Sequence, residues 1–235
     1  MSLSQPKSGN TNPAKKFIKY SSTKSFFYYD KQKEDNVQMP DKFYVIPLDS
    51  LATVTGWSDD SMSSIYSNEV RSVAKDELNV RSFKGGEIAK GLWSNIKEKV
   101  KVKGGNFTTS MYCALIENGK VTELVNLHLS KSALAPLFDI DLKYDGSILE
   151  VSQDPEELKK GSVKYKLPKF VLHAAKPNLV DEAINLDVEL QSYLSDYLNK
   201  EVDSERSERT SEQGEVVEAE TPNNIVEEEI EPLPF

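Results

Sequence analysis

Asn118-Gly119 separates two β-rich runs, Phe107 to Ile116 and Val121 to Leu129. The two-residue turn that matches the twist of paired strands needs positive φ at both central positions, and Asn-Gly is the strongest short signal for it. The sequence thus predicts an antiparallel hairpin and commits this part of the chain to a sheet. Upstream, Phe43 to Trp57 predicts a long first strand, with Pro47 marking an edge or bulge and Gly56 a bend. After the turn signal Asp59-Asp60-Ser61, Ile65 to Val70 and Leu78 to Phe83 predict a second and a third strand.

Beyond Lys84-Gly85-Gly86 the period changes. Ile88, Ala89, Leu92, Trp93, Ile96 and Val100 recur at helical spacing, which predicts a helix from Glu87 to Val102, ended by Gly104-Gly105. Lys90, Lys97 and Lys101 fall on its opposite side as a lysine ridge. Three strands, a helix and two strands is the order of the OB-fold, a partly open five-stranded barrel that binds oligonucleotides or oligosaccharides. The expected fold class is therefore mainly β with helices: an elaborated OB-fold with a five-stranded barrel and a helix between strands 3 and 4. Residues 1–24, rich in Ser, Asn, Lys and Pro, read as a flexible, mildly basic arm, with order beginning near Ser25. Ser130 to Phe138 reads as a short helix, and Ser147 to Ser152 and Val163 to Ala174 as extended chain. An extra C-terminal helix is capped by Asn178. Its apolar face, Ala183, Leu186, Leu190, Tyr193, Leu194 and Tyr197, docks on the body or on a second subunit, and self-association stays open. The ordered domain is expected to span residues 25–200.

Charge is segregated. The chain carries 29 Lys or Arg and 38 Asp or Glu, a net of -9. Glu201 to Phe235 alone holds 12 acids against Arg206 and Arg209, so the first 200 residues are almost neutral. Residues 201–235 are too charged and too poor in apolar side chains to fold, and they are expected to be a disordered acidic tail. It closes on Pro232-Leu233-Pro234-Phe235, a pattern suited to docking an aromatic ring and a carboxylate in a partner's pocket. Between Arg71 and Ser110, nine basic residues face four acidic ones, interleaved with aromatics. Single strands are bound by cations along the phosphates and by aromatic faces under the bases. The expected strand-binding set is Arg71, Arg81, Lys84, Lys90, Lys97 and Lys101 for phosphates, with Trp57, Tyr66, Phe83, Phe107 and Tyr112 for bases. Trp93 lies on the apolar helical stripe and is expected to pack.

The tail ending in hydrophobic-Pro-Phe resembles the C-terminus of bacterial and phage single-stranded DNA-binding proteins. Thr53 to Trp57, Ile65 to Val70 and Phe83 to Trp93 are similar to the single-stranded DNA-binding proteins of some tailed phages. The resemblance implies an OB-fold that coats single-stranded DNA in replication, recombination or repair, and a tip, Pro232 to Phe235, that recruits replication or repair enzymes. It departs from the common bacterial tetramer in lacking an Asn-Lys-Val opening and a Gly-Asn-Leu-Gly turn, so tetramer assembly is not carried over. Glu also replaces the usual Asp in the tail, and Leu the usual Ile near its tip.

Other chemistries find little support. Cys113 is expected to be a core residue, and His128 and His173 have no partner at zinc-ligand spacing. Asp139, Asp141 and Asp145-Gly146 miss the alternation of a calcium loop, Lys84-Gly85-Gly86 lacks the end of a P-loop, and no Gly-x-Ser-x-Gly elbow occurs. No enzyme, cofactor or metal is expected, and no apolar run suggests a membrane span, which gives a cytoplasmic expectation. Two rivals stand: an acidic-tailed interaction protein or DNA mimic without affinity for single strands, and a magnesium-dependent nuclease using Asp139 to Asp145.

Overall fold

The computed structural model describes residues 11–212, and the expected docking tip, Pro232 to Phe235, lies outside them. The described residues are mainly β with three helices. Strands β1 (Lys16–Ser21), β2 (Ser25–Asp30) and β3 (Asp35–Gln38) precede β4 (Lys42–Ser58), β5 (Ser63–Tyr66), β6 (Leu78–Ser82) and β7 (Gly86–Gly91). Helix α1 (Trp93–Val102) leads into the hairpin β8 (Gly105–Glu117) and β9 (Lys120–Ser130). A 3-10 turn (Lys131–Ala133) and α2 (Leu134–Phe138) follow, then β10 (Ile148–Gln153), β11 (Leu158–Lys160), β12 (Val163–Tyr165), β13 (Pro168–His173) and α3 (Pro177–Glu212).

Eleven strands form one open sheet in the order β3-β2-β1-β9-β8-β4-β5-β6-β7, with β10 joining β4 and carrying β13. The five strands read from the sequence are therefore adjacent as β6-β5-β4-β8-β9. They do not close on themselves. β7 takes the free edge of β6, and β1 pairs in parallel with the outer edge of β9, so both edges needed for closure are occupied.

The hairpin forms as expected, with Asn118 and Gly119 at φ 52° and 74°. Pro47 marks a bulge, since β4 shifts register against β8 between Pro47 and Asp49. Leu48 is the extra residue, and it reverses the parity of β4. Phe43 and Val45 before the bulge and Ala52 and Val54 after it therefore point to the same side of the sheet as Leu115, Thr109 and Phe107 of β8. That side carries two apolar clusters. One joins Ile18, Phe26, Phe43, Val45, Met111, Cys113 and Leu127 with Leu137 of α2; the other joins Val54, Ile65, Val80 and Ala89 with Ile96 and Val100 of α1. On the opposite side, Leu179 and Ala183 of α3 pack on Ile46 and Ala114.

Three expectations are corrected. The arm does not extend to residue 24, because β1 buries Ile18 completely between β2 and β9. The helix does not begin at Glu87: residues 86–91 extend the sheet as β7, and Gly91, at φ +139°, breaks the chain before α1 begins. The last helix runs on to Glu212, where Glu and Arg are good helix formers, rather than ending near 200. Within that helix Ala183, Leu190, Tyr193 and Leu194 are buried against the body, while its turns from Tyr197 on fall outside the compact unit that ends at Asp196. Among the described residues no helix is long and apolar enough to cross a membrane.

Candidate functional site

Residues paired across neighbouring strands share a face, and so do residues two apart along a strand. Thr55 of β4 is opposite Tyr66 of β5, and Tyr66 is opposite Arg81 of β6. One row further, Trp57 is opposite Ser64, and the Phe83 amide donates to the Ser64 carbonyl at 2.9 Å. Trp57, Tyr66, Arg81 and Phe83 therefore stand on one face, opposite the side where Val54, Ile65 and Val80 pack beneath α1. The three aromatics are 51%, 45% and 76% exposed. Lys90, opposite Asn79, belongs to the same face, and Lys84 follows Phe83 directly at its rim. Neither Arg81 nor Lys84 makes an ion pair with a described residue.

The backbone of this patch is fixed locally. The Phe83-Lys84-Gly85 turn is held by the Ser63 hydroxyl, which accepts from the Lys84 amide at 3.1 Å, and by the Ser82 hydroxyl, which accepts from the Gly85 amide at 3.0 Å. Trp57 sits where β4 passes the Gly104-Gly105 turn, and Asp60 nearby pairs with Lys103 at 2.7 Å.

The other expected residues are elsewhere. Lys97 and Lys101 are exposed on α1, across the sheet from Trp57, and Lys101 pairs with Glu98 at 3.4 Å. Phe107 is half-buried on the α1 side, its ring 5.9 Å from that of Trp93. Arg71 is bound to Asp49, which holds its guanidinium in the charged form. Tyr112 is completely buried and offers no face to a base. Its side chain is on the same sheet face as Ser110, but Glu69 covers both.

That cover is a polar cluster with no local sequence signal. The chain after β5 runs beside β4, with Ala52 and Val70 exchanging two backbone hydrogen bonds of 2.8 Å, and this turns Glu69 onto the sheet. Tyr112 donates to Glu69 Oε2 at 2.7 Å, and the Ser110 hydroxyl donates to Oε1. Burial pushes the Glu69 carboxyl up, and the two donors hold it down against that. Asn12 reaches the Tyr112 oxygen at 2.9 Å, and Asn126 Nδ2 donates to Ser110 Oγ at 2.7 Å. His128 lies beside them, its Nε2 3.5 Å from Ser110 Oγ and its Nδ1 buried without a partner. Burial, aided by the Lys19 charge, lowers its pKa to about 4. Ser, His and Glu do not make a nucleophilic triad here: Ser110 is fully buried, and the acid bonds the serine rather than the far nitrogen of the ring.

No group of three or more His, Cys, Asp or Glu residues suited to a metal occurs among the described residues. Asp145 Oδ1 accepts from the Ser147 amide and hydroxyl, and Asp141 pairs with Lys143, so these acids of the Asp139 to Asp145 stretch serve the turn. Cys113 is a buried core thiol, raised in pKa by burial. No protein-family model, curated protein or solved structure matches the chain.

Proposed function

We propose that the chain binds single-stranded DNA without strong sequence preference, on the face that carries Trp57, Tyr66, Arg81 and Phe83. One observation carries this reading: three exposed aromatics on adjacent strands of one face, beside Arg81, Lys84 and Lys90. Each base stacked on such a ring is worth about 1–3 kcal/mol, and any base can stack, so this surface suits unpaired strands of any sequence. A duplex hides its base faces and gains only the phosphate contacts.

The order β6-β5-β4-β8-β9, with α1 between the third and fourth of these strands in sequence, supports reading this part as an OB-fold core opened between its third and fifth strands. The protein coats single-stranded DNA during replication, recombination or repair and acts without a catalytic step. The acidic tail recruits partner enzymes through Pro232, Leu233, Pro234 and Phe235.

Titration of labelled single- and double-stranded oligonucleotides, with and without magnesium, tests the proposal. Salt-sensitive, magnesium-independent binding that prefers single strands is expected, with quenching of Trp57 fluorescence. No binding at low salt refutes it in favour of an acidic interaction protein, and magnesium-dependent cleavage refutes it in favour of a nuclease.

A further inference from the structure

The face that bears Trp57 continues across the sheet. Thr55 is opposite Asn106 of β8, and Ser110, four residues along β8 and so on the same face, is opposite His128 of β9. His128 is level with Lys19 of β1, and Lys19 with Phe27 of β2. Phe17, Lys19, Phe27 and Tyr29 therefore stand on the same side of the sheet as Trp57, Tyr66 and Phe83. Phe17 is 39% exposed and Tyr29 56%. They border a groove of about 540 Å³ whose cationic lining is Lys15, Lys16, Lys19 and Lys31, against the acids Asp30 and Glu123. Lys16 is paired with Glu123 at 2.5 Å and lies 5.2 Å from the Tyr28 ring centre, whereas Lys15, Lys19 and Lys31 make no ion pair with a described residue. The groove thus repeats the chemistry of the first patch, with rings accessible to bases and a surplus of cations beside them.

We infer that the β1–β2 end of the sheet is a second stacking subsite for the same DNA strand, with Phe17 and Tyr29 taking bases and Lys15, Lys19 and Lys31 taking phosphates. The inference rests on the proposed function. Its occupant follows from charge and continuity: an anionic chain with flat apolar groups fits both patches. Between them the Glu69 cluster and α3, which packs on Ile46 and Ala114 and reaches Asp49 through Gln191, cover the centre of the face, but Thr55, Asn106 and Ser130 remain half-exposed at one end of the strands. Tyr66 and Tyr29 are five strand steps apart, about 24 Å along the sheet at ~4.8 Å per step. A strand at the stacked spacing of ~3.4 Å needs about seven nucleotides to reach from one to the other. Short strands occupy one patch, and longer ones engage both.

The test is fluorescence anisotropy with oligothymidylates of about 5 and about 20 nucleotides, a range that brackets single-patch and two-patch binding. The full-length variants are Tyr29→Ala with Lys31→Glu, and Trp57→Ala with Phe83→Ala. All four positions are exposed, and circular dichroism and melting curves check that each variant keeps the fold. The Tyr29/Lys31 variant is expected to lose about tenfold or more in affinity for the long strand and little for the short one. The Trp57/Phe83 variant loses affinity for both. If the Tyr29/Lys31 variant binds both lengths like wild type while the Trp57/Phe83 variant fails, the second subsite is refuted and the first reading survives. If the Tyr29/Lys31 variant loses both lengths equally, the division into two subsites is refuted. If wild type binds neither length, the function itself is refuted.

Discussion

Gly56 and Gly104 pass backbone against backbone: a Cβ on Gly56 would lie 2.2 Å from the Gly104 carbonyl oxygen, and one on Gly104 would lie 2.1 Å from the Trp57 carbonyl oxygen. Gly104 also holds φ +91°, which side-chain-bearing residues rarely adopt. Glycine at both positions lets the turn after α1 nest against the end of β4, the segment that presents Trp57.

Gly104→Ala is therefore expected to cost at least about 2 kcal/mol, since backbone strain and a backbone clash act together. Gly56→Ala should do the same by the clash alone. Gly119→Ala is the comparison: a Cβ there meets nothing, so only the strain of φ +74° remains, and the loss is smaller. Thermal or urea denaturation ranks the three. The surviving folded fraction of Gly104→Ala should also bind oligonucleotide more weakly, because relief of the clash moves Trp57.

Tyr112→Phe separates a buried role from a surface one. The sequence expectation places Tyr112 under a base; the structure places its hydroxyl on Glu69, out of solvent. Removing that donor leaves a largely buried carboxylate supported by Ser110, at an expected cost of about 1–3 kcal/mol. Oligonucleotide affinity of the folded variant should be unchanged. A large loss of affinity with unchanged urea stability would reverse this assignment.

Acid should destabilise the fold through His128. Its folded pKa, about 4, is below the ordinary 6.5 because the ring is buried. Between those values the unfolded chain holds a proton that the folded one excludes, so stability is full above pH 6.5 and falls as pH drops toward 4. The slope is about 1.4 kcal/mol per pH unit where the difference is complete. Glu69 has the opposite sign: its carboxyl is raised by burial, so its contribution is lost as pH rises through the folded value. His128→Gln should flatten the rise of stability with pH in this window, and Glu69→Gln should steepen it. Urea midpoints measured from pH 4 to pH 6.5 would show both changes.

What was legible in the sequence depends on the range of the signal. Asn118-Gly119, the long run through β4 and the bulge at Pro47 are local, and all three appear where the pattern puts them. Ile88 and Ala89 fit a helical stripe and a short strand equally well, and the conformation of Gly91 decides for the strand. Phe17-Ile18-Lys19-Tyr20 is mostly apolar but only four residues long and set between Lys15-Lys16 and Ser21-Ser22-Thr23-Lys24, and its burial comes from the parallel edge of β9, about 110 residues away. The candidate site divides the same way. Trp57, Tyr66, Arg81 and Phe83 come together through hairpin-range pairing, whereas which side of the sheet Phe107 and Tyr112 take depends on the bulge, the register of β4 with β8 and the cover provided by Glu69.

The cations can be sorted by salt dependence. If Arg81 and Lys84 each neutralise a phosphate, replacing either by Ala should reduce the slope of log affinity against log salt by about 0.7, the value for single strands. Lys97 and Lys101, exposed on α1 across the sheet, should leave the slope unchanged when replaced together. Trp57→Ala should lower affinity at every salt concentration by a constant factor, since stacking releases no counterion. Arg71→Ala is expected to act on stability rather than on binding, because its guanidinium is engaged by Asp49, which also accepts from Gln191 at 3.1 Å. Titrations of one oligonucleotide at several salt concentrations distinguish these variants. A slope that depends on Lys97 and Lys101 and not on Arg81 and Lys84 would move the DNA path to the other side of the sheet.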